Sequence, residues 1–322
     1  MRAITVDQPG GPEVLQLDEV ADPVPGPGEL LVEVVAAGVN RADLQQRIGV
    51  YPPPPGASGI IGLECSGRIA AVGGEVDGWQ VGDPCVALLA GGGYAERVAV
   101  PAGQVVRPPD GIDLVTAGGL LEVAATVVSN ADLVGLDDGE TFLVHGGAGG
   151  IGSFAIQYAK QLGATVIATA GSPKKLDHCR ALGADLAVSY RDDWSAAIAD
   201  FTGRGVDVIL DNMGAKYLDA NTAALAPDGR LVIIGLQGGS RAELDLGRLL
   251  SRRCSVTATS LRGRPVEQKA AIVARVADTV WPMYAAGRIR AAPETRFGLA
   301  DAAQAHSRLE SGENVGKILL LP

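Results

Sequence analysis

The chain has 322 residues, 47% of them hydrophobic and only 4% aromatic, with a formal net charge of −10. That hydrophobicity excludes disorder, and a core of Ala, Val, Leu, Ile and Gly suits close packing of helices on a sheet. The acidic balance argues against nucleic acid or an anionic membrane as partner.

Met1–Val6 reads as a strand with no apolar signal-peptide core after it, and no apolar run is long enough to span a bilayer, so the expected location is the cytoplasm. The first third alternates turn signals such as Pro25-Gly26-Pro27-Gly28 and Gly91-Gly92-Gly93 with short β-branched runs at 30–37, 68–72 and 95–100, the pattern of an irregular β domain. Tyr51-Pro52-Pro53-Pro54-Pro55 reads as a rigid loop wall within it, because apolar, Gly-rich chain flanks it on both sides.

The middle then changes period. Apolar runs at 141–145, 165–169, 186–190, 206–211 and 231–235 alternate with helical stretches, which predicts a parallel sheet covered on both faces. Ile151, Ala155, Ala159 and Leu162 form the stripe of a first helix closed by Gly163; Ser172 and Pro173 read as the cap and first residue of a second, closed by Gly183. The last part predicts a long helix over 266–286, a shorter one over 299–311 and a strand over 317–321. Cys65, Cys85, Cys179 and Cys254 show no C-x-x-C pairing and read as reduced thiols.

The strongest local motif is Gly147-Ala148-Gly149-Gly150-Ile151-Gly152, a G-x-G-x-x-G between a strand and a helix. In that context the first glycine permits a tight turn, the second lets backbone approach a pyrophosphate, and the third lets helix and strand pack closely; N–H groups at the helix start meet the phosphate charge. At the end of the next strand an NAD site carries Asp or Glu for the ribose 2′-hydroxyl. Here the chain reads Thr169-Ala170-Gly171-Ser172-Pro173-Lys174-Lys175, with no acid before Asp177. Gly171 and Ser172 leave room for a 2′-phosphate and the lysines bring positive charge, which favours NADPH.

The sequence resembles the zinc-independent quinone oxidoreductases of the medium-chain dehydrogenase/reductase superfamily, of the zeta-crystallin type and closest to the tumour-suppressor-inducible branch. The likeness runs through Pro9–Glu13, Asn40-Arg41-Ala42-Asp43-Leu44-Gln45-Gln46-Arg47, Pro53–Ser58, Gly62-Leu63-Glu64, Val144–Gly152, Thr169–Leu176, Ala305-His306 and Asn314–Ile318. It implies an α/β architecture: a GroES-like β-rich catalytic domain from 1–124 and 263–322, with a doubly wound Rossmann domain from 125–262 inserted and a cleft between them. It also implies a homodimer or homotetramer joined by an edge strand, for which 256–259 is the candidate.

The same resemblance places Asn40 and Tyr51 near the nicotinamide as the catalytic candidates, and Thr126 near its carboxamide. It gives Gly147, Gly149, Gly150, Ile151 and Gly152 to the pyrophosphate, and Gly171, Ser172, Lys175 and Tyr190 to the adenosine 2′-phosphate. Gly235 and Leu236 border the nicotinamide ribose, and Lys317 lies near the cofactor. Glu64 and Glu122 match acidic positions whose role the resemblance leaves open. Tyr51 either donates a hydrogen bond to the substrate carbonyl or stacks against it.

Zinc relatives carry a catalytic Cys and a His before a Glu. Asn40 or its neighbours stand at the first position and Leu63 at the second, so no metal is expected. His145, His178 and His306 are the only histidines, and His145 beside the glycine turn reads as a backbone-bonded structural residue. Without a metal to polarise an alcohol, a quinone is the expected acceptor, since its product is aromatic. Reduction of another conjugated carbonyl is the alternative on the same scaffold. A dinucleotide-binding protein with little catalysis, structural or RNA-binding, is a second alternative.

Overall fold

Leu30, Val32, Val34 and Ala36 are buried while Glu33 faces outward, the period-two signature of a strand with one covered face. In the computed structural model, which describes residues 1–322, the chain opens with an antiparallel pair, β1 (Arg2–Thr5) and β2 (Gln16–Glu19). Then come β3 (Glu29–Val39), helix α1 (Arg41–Arg47), β4 (Glu64–Val72), β5 (Pro84–Leu88), β6 (Arg97–Pro101) and β7 (Val105–Val106). β3 pairs antiparallel with β4 and β6, and β4 with β5. Two helices follow, α2 (Leu114–Ala117) and α3 (Leu121–Val134).

The alternating part of the chain holds β8 (Thr141–Val144), α4 (Gly150–Gln161), β9 (Thr165–Ala170), α5 (Pro173–Ala181), β10 (Leu186–Ser189), α6 (Trp194–Thr202), β11 (Val206–Asp211), α7 (Leu218–Ala224), β12 (Leu225–Ile233), α8 (Leu246–Arg252) and β13 (Ser255–Ala258). All its pairings are parallel, in the order β10-β9-β8-β11-β12-β13. The order reverses between β8 and β11, and in such sheets ligands bind beyond the carboxyl ends of the strands at that point. Leu143, Ile167, Ile209 and Leu231 are fully buried along the middle of the sheet, each worth about 1.5–3 kcal/mol of hydrophobic stabilisation.

The chain ends with α9 (Val266–Thr279), α10 (Trp281–Ala285), β14 (Glu294–Gly298), α11 (Ala302–Glu310) and β15 (Lys317–Leu321). The single helix expected over 266–286 is two. Pro282 has no N–H to give to the carbonyl one turn back, so the helix stops near Val280 and restarts with Pro282 in its first turn. The helix expected from 299 begins as a 3-10 turn, Leu299–Asp301, before α11. β14 had no counterpart in the sequence reading; it pairs parallel with β15, which pairs antiparallel with β3 and sets Ile318 opposite Val39.

Contacts divide the chain into two compact units, one of Met1–Ala125 with Leu261–Pro322 and one of Thr126–Ser260. The first is the β-rich unit and the second the doubly wound one. All four cysteines are free, and no helix is long and apolar enough to cross a membrane.

Candidate active site and nucleotide site

In the doubly wound unit the glycine turn joins β8 to α4. The left-handed residue of the turn is Gly146 (φ +69°), one before the motif's first glycine. Gly147 is small for another reason: a Cβ there would lie 2.8 Å from both the Ala168 Cβ and the Cys179 Sγ. Gly152 admits no side chain either, since its Cβ would fall 2.4 Å from the Gly146 carbonyl oxygen and 2.5 Å from the Gly147 Cα. That is the close helix–turn packing expected of the third glycine. At Gly149, the residue before α4, the nearest atom to such a Cβ is the Gly146 oxygen at 3.5 Å, so space opens over the helix start. The N–H groups of Gly150, Ile151 and Gly152 lie in the first turn, where helix geometry supplies no carbonyl, and they form a cradle suited to an anion.

His145 braces this turn through side chains rather than through backbone. Its Nε2 donates to the Asn221 Oδ1 at 2.7 Å, an atom that only accepts, so Nδ1 accepts from the Thr169 hydroxyl at 3.0 Å. Burial holds the ring down to about 4, and it stays neutral.

β9 ends at Ala170, and no carboxylate follows. The Tyr190 ring lies across Gly171: a Cβ on Gly171 would meet the phenol oxygen at 2.1 Å. Ser172 occupies the expected cap position of α5, with Pro173 next, yet its hydroxyl makes no bond to the helix. Lys175 is half-buried one turn on, its N–H donating to the Ser172 carbonyl at 3.0 Å, while Lys174 is exposed. Ser172, Lys175 and Tyr190 thus follow the end of β9 with no acidic residue before Asp177.

Across the switch point, Asp211 ends β11 fully buried and accepts the N–H groups of Met213 and Gly214, both at 2.8 Å. Burial raises its carboxyl, and those two N–H bonds oppose the rise. Asn212 follows, a residue absent from the expected set. Its Oδ1 is buried with no hydrogen-bond partner, and its amide nitrogen stands 3.0 Å from where a Gly146 Cβ would be. Its one sequence signal was its place at a strand end beside the switch point. Gly235 packs on the Asn212 backbone, and Leu236 is 57% exposed. Thr126, at the start of this unit, is buried in α3, where its carbonyl accepts from Asn130 at 2.7 Å.

In the β-rich unit the β3–β15 pairing brings Lys317 to Asn40. The Lys317 Nζ lies 2.6 Å from the Glu64 Oε1 and 2.8 Å from the Asn40 Oδ1, with the Val39 carbonyl at 3.5 Å. The Asn40 Nδ2 donates to the same Glu64 oxygen at 3.0 Å, and the other Glu64 oxygen accepts the Glu122 N–H at 3.0 Å. Glu64 is 1% exposed, Lys317 6% and Asn40 8%. Two of the three ammonium donors are firmly engaged, by Glu64 and Asn40. Lys317 thus bonds directly to the Asn40 amide and to the carboxylate that also holds that amide.

A second buried chain steadies Asn40 from behind. Its backbone N–H donates to Asp43 at 2.7 Å, the Tyr94 hydroxyl donates to the same Asp43 oxygen at 3.1 Å, and the His306 Nε2 meets Tyr94 at 3.0 Å. Arg47 closes the chain on the His306 Nδ1 at 3.4 Å and pairs with Glu310. Burial, with Arg47 alongside, holds His306 down to about 3, so the neutral ring accepts from Arg47 and donates to Tyr94. Burial pushes the Asp43 carboxyl up to about 7 against the pull of the Asn40 N–H and the Tyr94 hydroxyl.

Tyr51 lies in the loop between α1 and β4, beneath a residue the sequence reading did not mark. The guanidinium carbon of Arg262 sits 5.3 Å from the centre of the Tyr51 ring. Leu63, beside Glu64, is buried and offers no metal ligand, and no group of three or more His, Cys, Asp or Glu is placed to hold a metal ion.

Two families of known proteins match successive parts of the chain. An "Alcohol dehydrogenase GroES-like domain" family matches residues 26–110 and a "Zinc-binding dehydrogenase" family residues 150–277. A quinone oxidoreductase of Pseudomonas aeruginosa is 35% identical over 97% of both chains. Among solved structures, a mycobacterial protein complexed with NADPH superposes with a TM-score of 0.90 at 34% identity, covering 100% of both chains. The Escherichia coli quinone oxidoreductase complexed with NADPH gives a TM-score of 0.89 at 30% identity, again covering 100% of both.

Proposed function

Since the chain belongs to the medium-chain dehydrogenase/reductase superfamily, among its quinone oxidoreductases, we propose that it reduces quinones with NADPH. NADPH, when bound, supplies the hydride. The observation that carries the cofactor choice is the end of β9, where the Tyr190 ring takes the space beside Gly171, Ser172 and Lys175 follow in the chain, and no carboxylate stands before Asp177. The two relatives solved with NADPH support it.

In this reading the turn from Gly147 to Gly152 receives the pyrophosphate, Asn212, Gly235 and Leu236 border the ribose beyond it, and Thr126 serves the carboxamide. Asn40 and Tyr51 serve the nicotinamide and the acceptor. Lys317 and Glu64 keep the Asn40 amide in one orientation, so that its oxygen accepts from a ligand N–H without rearrangement. The reaction runs without zinc, because the Asn40 amide and the Leu63 side chain stand where zinc relatives carry ligands. The protein works in the cytoplasm on small molecules, with neither nucleic acid nor membrane as partner.

The test follows absorbance loss of NADPH and NADH with benzoquinones, naphthoquinones and enones side by side. NADPH with quinones is expected to give the highest kcat/KM. Lys175→Ala is expected to lower the preference for NADPH over NADH by roughly 10- to 100-fold, as for loss of a charge-assisted hydrogen bond of about 1.5–3 kcal/mol. Faster turnover with NADH would sink the cofactor choice, and faster turnover of enones would favour the conjugated-carbonyl alternative.

The working form is a homodimer or homotetramer joined through β13. That strand ends its sheet, pairing only with β12, and Leu246 and Leu250 on the preceding helix are 70% and 83% exposed. An open strand edge beside apolar side chains is a surface that a second copy covers. Light scattering of the purified protein is expected to give a mass of two or four chains, and Leu250→Glu to shift it toward one; a wild-type monomer at micromolar concentration would rule the assembly out.

A further inference from the structure

Four consecutive prolines, Pro52–Pro55, leave the loop between α1 and β4 with no backbone N–H across its middle. Such a segment cannot hold itself by a ladder of its own, and its carbonyls need donors from outside. Its backbone bonds are few: the N–H groups of Val50 and Tyr51 donate to the Gln45 carbonyl at 3.0 and 3.2 Å, and that of Ala57 to Pro54 at 3.1 Å.

Arg262 supplies one such donor and ties the loop to its surroundings with the others. Its Nη1 donates to the Tyr51 carbonyl at 3.2 Å, its Nη2 to the Gln46 Oε1 at 2.7 Å and its Nε to the Ala90 carbonyl at 2.8 Å. Gln46 passes the hold onward, its Nε2 donating to the Gly59 carbonyl at 2.9 Å at the far end of the loop. Arg262 is 5% exposed, and all three bonds go to neutral oxygens. Retaining a buried cation without a carboxylate partner is costly. Here the Tyr51 ring face and three carbonyl-type oxygens offset that cost, an arrangement suited to a planar, forked guanidinium and not to an ammonium.

We propose that Arg262 is a positioning residue that clamps the 50–59 loop and fixes the Tyr51 ring. The proposal rests on the reading that places the acceptor at Tyr51. The clamp sets how well the acceptor is held, and affects dinucleotide affinity far less, because the pyrophosphate and the adenosine phosphate are received in the other unit.

The experiment combines amide hydrogen exchange with steady-state kinetics on wild type, Arg262→Met, Arg262→Lys and Gln46→Ala. In Arg262→Met the amides of 48–60 are expected to exchange faster while those of β3 and β4 keep their protection. Quinone kcat/KM is expected to fall on the order of 10²-fold, the scale for a reactant held about an ångström out of place, with a much smaller change in the Kd for NADPH. Arg262→Lys recovers part of both effects, and Gln46→Ala, which keeps the cation and removes one link, loosens the same segment to a smaller degree. The clamp is overturned by unchanged exchange in 48–60, by wild-type quinone kinetics in Arg262→Met, or by loss of protection across the whole sheet in both Arg262→Met and Gln46→Ala. A wild type that turns over no quinone sinks the functional reading instead, and the exchange data then decide the clamp alone.

Discussion

Gly152→Ala lowers NADPH affinity on the order of 10²-fold and unfolds at a lower temperature than the wild type. The new Cβ would sit 2.4 Å from the Gly146 carbonyl oxygen and 2.5 Å from the Gly147 Cα. Both are backbone atoms, so no side chain can rotate away. Either the turn lifts off the sheet or α4 shifts along its axis, and each movement misaims the first-turn N–H groups that meet the pyrophosphate. Overpacking of this kind costs about 1–3 kcal/mol of stability. Gly149→Ala supplies the contrast. Its backbone (φ −80°, ψ 177°) is open to any residue, and a Cβ there would meet only the Gly146 oxygen at 3.5 Å. This variant keeps its Tm and loses affinity, because its methyl fills the space left for the ligand. Calorimetric titration with NADPH and a thermal melt on both variants check the pair. Wild-type affinity in Gly152→Ala would remove the glycine turn from the cofactor site.

These two glycines show where local reading of a sequence succeeds and where it stops. A strand, a glycine-rich turn and a helix in succession are contiguous in the chain, so the motif, the end of β9 and the start of α5 are legible in the sequence alone. Which glycine of the 146–152 run takes the left-handed conformation was not, because several neighbours tolerate it; the choice fell to Gly146 once Gly147 had to pack on Ala168 and Cys179. The break of the 266–286 helix was written in Pro282, but apolar periodicity continues through it and masked the signal. The polar clusters were illegible for a different reason. Lys317 and Glu64 are 253 residues apart, and only the antiparallel register of β15 on β3 brings the lysine to Asn40 and the glutamate. The resemblance marked these residues singly and could not say that they bond to one another. Arg262 carried no mark at all, since its partners are two carbonyls, an amide and a ring face drawn from three other stretches of chain.

The Lys317–Glu64 pair carries the second large effect. Lys317→Met is expected to cost about 3–5 kcal/mol of stability, the range for removing one partner of a buried ion pair. The loss follows from what remains: a carboxylate 1% exposed, held by the Asn40 amide and the Glu122 N–H, with no cation in contact. The second half of the pair decides between this account and simple loss of packing. If the cost is the stranded charge, Lys317→Met with Glu64→Gln recovers much of it, because a neutral amide is far less costly to bury, and the two changes are strongly non-additive. Urea unfolding of the four members of the cycle measures this directly. Activity follows a different course. Asn40 has lost the ammonium that held its oxygen, so the double variant regains stability while its quinone kcat/KM stays depressed. A Lys317→Met protein within about 1 kcal/mol of wild type, well under the buried-pair range, would show that the pair is not a buried charge pair in solution. Simple additivity in the cycle would reduce it to packing. Full recovery of activity in the double variant would separate it from the orientation of Asn40.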